Sequence, residues 1–190
     1  MCGELRCTTA VAQAPGGFLD TGNGTGIDVV TLKGIVHDDA AFDAWMSEST
    51  DPVAPIIGAL FRGRLADAAT LIEAALRHAT GRPDEDRIRY RLCALSADLD
   101  RERGAFSSAE ATYRDLLLRE HGSAREAVLW QHLGKVHFAA GDYATARDCF
   151  ARSLMLRTDA GGATPADQVE SSRLALARAE QELAVRRSRS

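Results

Sequence analysis

The chain has 190 residues, 45% of them hydrophobic and 26% charged, with a formal net charge of −4. That length supports one medium domain with a core, or a smaller domain plus a tail, and the composition excludes a wholly disordered chain, a collagen-like chain and a coiled-coil rod. The acidic balance speaks against a general nucleic-acid binder, and no apolar run approaches the ~20 residues a membrane span needs.

Charge and cysteine are unevenly spread. Residues 1–50 carry seven acids against Arg6 and Lys33, whereas residues 51–190 hold 21 bases against 20 acids, the mixed signs of solvated helix faces. Cys2, Cys7, Cys93 and Cys149 form no C-x-x-C, so neither a zinc nor a redox site is expected. The first residues lack a basic start followed by an apolar core, so a reduced, cytoplasmic protein is expected.

Residues 1–30 are rich in Gly, Thr, Ala and Asp without sustained periodicity. Pro15-Gly16-Gly17 and Gly22-Asn23-Gly24-Thr25-Gly26 read as flexible chain. The glycine run lacks the flanking strand, helix and Gly-Lys-Ser/Thr of a phosphate-binding loop. The segment over 1–37 is expected to be disordered or weakly ordered, with a true translation start near Val30 as a sharper expectation. A helical domain is expected over 38–187.

Within that domain, Asp38 and Asp39 precede Phe42, Trp45 and Met46, one apolar face of a short helix. Asp51-Pro52 predicts the start of a helix carrying Ile56, Ile57, Leu60 and Phe61, ended by Gly63. Further helices are expected over 65–79, 84–103, 106–120, 123–139, 143–157 and 167–185.

Three of these breaks share a pattern. Two residues after Gly63, Gly104 and Gly141 stand Leu65, Phe106 and Tyr143. Five after stand Ala68, Ala109 and Ala146, and nine after stand Ile72, Tyr113 and Phe150. Glycine lets the backbone leave one helix for the next, alanine lets two helices approach, and the large residue fills the core between them. The best copy reads Trp130-x-x-Leu133-Gly134-x-x-His137, then Gly141, Tyr143, Ala146 and Phe150. It resembles the tetratricopeptide repeat family, with His137 where that family usually has Tyr. The likeness covers about residues 52–157. It departs in its longer anchor spacing, 41 and 37 residues, and in lacking the proline at the repeat end.

The resemblance implies an all-α fold: a right-handed superhelical stack of antiparallel helix pairs, about three repeats with a C-terminal capping helix. It implies a non-enzymatic adapter that binds a protein or peptide in a concave groove, without cofactor, nucleic acid or membrane. Counting along the helices places Tyr90, Cys93, Gln131, Lys135 and Phe138 in that groove. No asparagine completes the Lys/Asn/Arg set with which some members clamp a peptide's terminal carboxylate.

Two other functions are open. One is a homo-oligomer formed through Leu174, Leu176 and Leu183 of the last helix. The other is a small anionic-ligand regulator using Arg87 and Arg91 of the arginine-rich helix over 84–103. His37, His78, His121, His132 and His137 have no metal-ligand spacing, and no nucleophile–base motif is present, so no catalytic or metal residue is assigned.

Overall fold

The computed structural model describes residues 17–79, 81 and 84–189. Among these the order is β1 (Phe18–Gly22), β2 (Thr25–Asp28), β3 (Gly34–Val36), α1 (Asp39–Glu48), α2 (Ala54–Phe61), α3 (Leu65–Ala79), α4 (Glu85–Glu102), α5 (Phe106–Arg119), α6 (Glu126–Ala139), α7 (Tyr143–Asp159) and α8 (Ala166–Arg187). The protein is thus mostly helical, with a small three-stranded antiparallel sheet of order β1-β2-β3. The expectations for Cys2 and Cys7 lie outside the described residues.

The helices fall where the periodicity places them. Asp38 caps α1 by accepting the Ala41 N–H. One start differs: α2 begins at Ala54 rather than beside Pro52, and Asp51 instead accepts the Val53 N–H. The beginnings of α4 and α6 are built alike. Glu85 accepts the Gly81 N–H, and Glu126 accepts the Gly122 N–H, both at 2.7 Å.

The three glycine breaks are one turn made three times. Gly63, Gly104 and Gly141 all have positive φ, between 67° and 79°. In each, the residue after glycine returns its N–H to a carbonyl five residues back: Arg64 to Ala59, Ala105 to Asp100, Asp142 to His137. This is the six-to-one bond of a helix stop that needs a left-handed residue, which glycine adopts at no steric cost.

The packing follows the expected roles. Ala68, Ala109 and Ala146 are completely buried, as are Tyr113 and Phe150. Each helix from α2 to α8 packs on the next along the chain, and α4 also touches both α2 and α6. Gly134 marks a close approach of α6 to α7: a Cβ there stands 2.5 Å from the Phe150 ring. The core divides into three consecutive clusters, centred on Ile72 and Leu92, on Tyr113 and Leu133, and on Phe150 and Ala175.

Residues 17–37 depart from the expectation for the segment over 1–37. Of its residues, 17–37 are described, and they form the sheet rather than a disordered tail. The glycine run is a hairpin turn: Gly22, Asn23 and Gly24 all have positive φ, the conformation that Asn-Gly favours in tight hairpins. Other glycines bring the backbone against the helices. A Cβ at Gly24 meets the Asp38 carbonyl at 2.2 Å, and one at Gly34 meets the Phe61 ring at 2.8 Å. A chain starting at Val30 lacks both β1 and β2.

The meander reaches the far end of the helices as well. Leu32 is buried in the C-terminal cluster with Phe138, Phe150 and Ala175. Val30 O accepts from Arg178 on α8. Asp28 shapes this loop by accepting the Val30 and Thr31 N–H groups and the Thr31 hydroxyl.

Candidate binding cavity

A cavity of about 720 Å3 lies between the meander, α2, α4 and α6. The meander contributes Ile27, Lys33 and Gly34; α2 and the turn before it contribute Val53, Ile57, Leu60 and Phe61. Tyr90, Arg91, Leu95, Asp98, Arg101 and Glu102 face it from α4, and Val128, His132 and Lys135 from α6. One half is therefore apolar and the other ionic.

The ionic half is a connected set. Asp98 Oδ1 lies 3.0 Å from His132 Nδ1 and 3.3 Å from Arg101 Nη2. Arg101 also pairs with Glu102 at 3.1 Å, and Glu102 with Lys33 of the meander at 2.8 Å. Below them Tyr113 donates its hydroxyl to the Ala94 carbonyl and stands 3.3 Å from His132 Nδ1. The Lys33–Glu102 pair forms a wall: both residues also line a second cavity of about 350 Å3 beside Phe138, Tyr143 and Arg178.

Burial sets the protonation of this cluster. It disfavours the Asp98 charge, but His132 and Arg101 outweigh it and hold the carboxyl well below the usual carboxylate range. Burial pushes the Lys135 ammonium down to about 8, with the Arg101 charge adding to the effect and Asp98 opposing it. Lys135 has no ion pair or hydrogen bond among the described residues, so it stands as the cation in excess. Burial, then Asp98, raises the Tyr113 phenol well above its ordinary value. Burial pushes the Cys149 thiol up to about 12. Both stay protonated at neutral pH, which makes them poor nucleophiles.

The structure separates the five residues the sequence grouped. Tyr90 and Lys135 line the cavity, and Arg125 stacks over the Tyr90 ring at 4.5 Å. Cys93 packs half-buried in the middle core cluster. Gln131 is buried at the α6–α8 seam, where its Oε1 accepts the Ser172 hydroxyl at 2.8 Å. Phe138 is buried in the C-terminal cluster, against Leu32 and the Tyr143 ring. Of the arginines on α4 singled out for anion binding, Arg87 pairs with Asp84, and Arg91 makes a bidentate pair with Asp51 at 2.6 and 2.8 Å.

Asp98, Arg101 and His132 were missed, although a signal for the first two exists. Lys135 stands six residues before Gly141, and Asp98 stands six before Gly104; Phe138 and Arg101 each stand three before. Counting back from the glycines also matches the buried residues Leu92 with Leu129, Ala97 with Gly134 and Leu99 with Val136. Counting forward from the helix starts fails, because α4 has 18 residues and α6 has 14. The extra four make one helical turn, inserted at the start of α4.

Comparison with family models, with curated proteins and with solved structures finds no match to this chain. Among the described residues, no group of three or more His, Cys, Asp or Glu is placed to hold a metal ion, and no helix is long and apolar enough to cross a membrane.

Proposed function

We propose that this protein is a non-enzymatic binding module of tetratricopeptide-like architecture, an adapter whose ligand site is the cavity between α2, α4 and α6. The repeated glycine turns, the three buried alanines and the packing of each helix on the next support the repeat architecture. The single observation that carries the binding role is Lys135: a cation without an ion pair among the described residues, lining the cavity. Burial disfavours this charge, and a ligand anion offsets that cost. In this reading a segment of a partner protein lays apolar side chains against Ile57, Leu60 and Leu95 and an acidic group at Lys135.

The test compares capture of binding partners by the wild type and by Tyr90→Ala with Lys135→Glu, both checked by circular dichroism. Loss of a partner in the folded double variant supports the reading. Equal capture by both overturns it. Lys135→Met alone serves if the double variant does not fold.

A second reading, a small anionic ligand in the same cavity, is favoured by the meander. Ile27, Lys33 and Gly34 line that cavity together with residues of α2, α4 and α6, so a compact ligand there touches all four. Self-association through α8 has less support, since Leu174 and Leu176 already pack in the C-terminal cluster.

A further inference from the structure

We propose that the cavity beneath the meander binds a small amphiphilic monocarboxylate, an apolar chain ending in one carboxylate. This deepens the small-ligand reading and rests on the cavity being the working site.

Charge matching fixes the sign of the ligand's head group. Arg91 is satisfied by Asp51, and Lys33 by Glu102. Arg101 is shared between Asp98 and Glu102, and Asp98 also faces His132. Lys135 has no ion pair among the described residues, and the Arg101 Nε beside it in the lining is buried without a hydrogen-bond partner. Cations in excess call for an anionic head group.

The walls fix the rest of the ligand. Away from Lys135 the cavity is lined by Val53, Ile57, Leu60, Phe61, Leu95 and Val128. A small polar anion leaves that surface facing water, whereas each buried methylene of an alkyl chain gains about 0.8 kcal/mol. The volume, about 720 Å3, falls within the ~300–1,000 Å3 of small-molecule sites. The roof fixes the size class: Lys33 latches to Glu102, Gly34 packs on Phe61, and Leu32 is anchored in the C-terminal core. With its pKa near 8, Lys135 keeps its charge at pH 7.

The experiment titrates the full chain at pH 7 with decanoate, 1-decanol, decylammonium and inorganic phosphate by isothermal calorimetry. Decanoate is expected to bind saturably at one site. Decanol is expected to bind at least about tenfold more weakly, since a charge-assisted hydrogen bond is lost. Decylammonium and phosphate are expected not to bind. Lys135→Met is expected to weaken decanoate about tenfold or more and leave decanol unchanged, a split that a misfolded cavity does not produce. Val128→Trp, which fills the apolar half, is expected to weaken both.

The proposal is overturned by decanol binding as tightly as decanoate, by unsaturable uptake, by an unchanged Lys135→Met, or by no decanoate binding to folded wild type. If decanoate fails while partner capture still depends on Tyr90 and Lys135, the occupant is a protein segment and the binding-module reading survives. If both fail, the cavity is not the working surface.

Discussion

The carboxylate of Asp98 on α4 meets the imidazole of His132 on α6 at 3.0 Å, 34 residues away in the chain. This contact joins the first helices of two successive helix pairs through ionic groups rather than through an apolar seam. Asp98 also accepts from Arg101, so removing it strands two donors at once.

Asp98→Ala is therefore expected to cost about 3–5 kcal/mol, the range for breaking a buried ion pair by deleting one partner. In a chain of this length that lowers Tm by about 10 °C. The loss depends on pH with a defined sign. The folded-state pKa of Asp98 lies below its usual 3.8, so its contribution is fully present above that value and is lost as pH falls through the folded pKa. Thermal melts of wild type and variant at pH 7 check the size, and a series carried well below pH 3 checks the convergence.

Lys135→Met is expected to raise stability at neutral pH while weakening anion binding. The folded pKa of Lys135 is depressed to about 8 from 10.5, so the folded state pays for its charge below pH 8. Between about 8 and 10.5 the unfolded chain holds a proton that the folded chain has shed, and stability rises with pH there. Wild type is expected to gain on the variant across that window. Anion binding at Lys135 should fall over the same rise in pH. Denaturant melts at pH 7 and pH 10 decide it: a Lys135→Met that is less stable at pH 7 removes the argument for an uncompensated charge.

The helices were legible because their signals are local. A glycine stop, an alanine five residues on and an apolar residue nine residues on all lie within one turn-and-helix unit, so 63–72, 104–113 and 141–150 could be read without knowing what they touch. The meander was not legible, because its glycines are explained by distant partners. Gly34 is small for Phe61, and Gly24 for the Asp38 carbonyl. Within it, Asn23-Gly24 was a hairpin signal, obscured by the surrounding glycines. The binding set was half legible. Lys135 and Tyr90 were found from helix faces, but placing Cys93 opposite Gln131 uses a spacing of 38 where the glycine stops repeat at 37, and that one-residue slip hid Asp98 and Arg101.

Gly134→Ala sets two effects of opposite sign against each other. Alanine in a helix interior is favoured over glycine by about 1 kcal/mol. Here the new Cβ stands 2.5 Å from Phe150 Cε1, on a ring that is completely buried and has no free end to swing aside. Overpacking a tight core costs about 1–3 kcal/mol and separates α6 from α7. Net destabilisation is expected, read as a lower denaturant midpoint. An increase in stability means that α6 and α7 are not in contact at this point.

Leu32→Ala tests how the meander is held. Leu32 has φ 58° and is 1% exposed, an uncommon pairing of left-handed backbone with a buried aliphatic side chain. Such backbone costs on the order of 1 kcal/mol for a residue with a Cβ, and it persists because the side chain is locked among Phe138, Phe150 and Ala175. Truncation to Ala keeps the backbone cost and removes the anchor, for a loss of about 2–5 kcal/mol. The loss should be local as well as global. The meander is otherwise fastened here by Lys33–Glu102 and by Arg178 on the Val30 carbonyl, contacts at exposed positions worth about 1 kcal/mol or less each. Hydrogen exchange at Gly26, Ile27 and Ile35 is therefore expected to accelerate in Leu32→Ala far more than exchange within α6. Equal acceleration in both means the meander and the helices unfold as one unit, and Leu32 is then part of a common core rather than the pin of a strap.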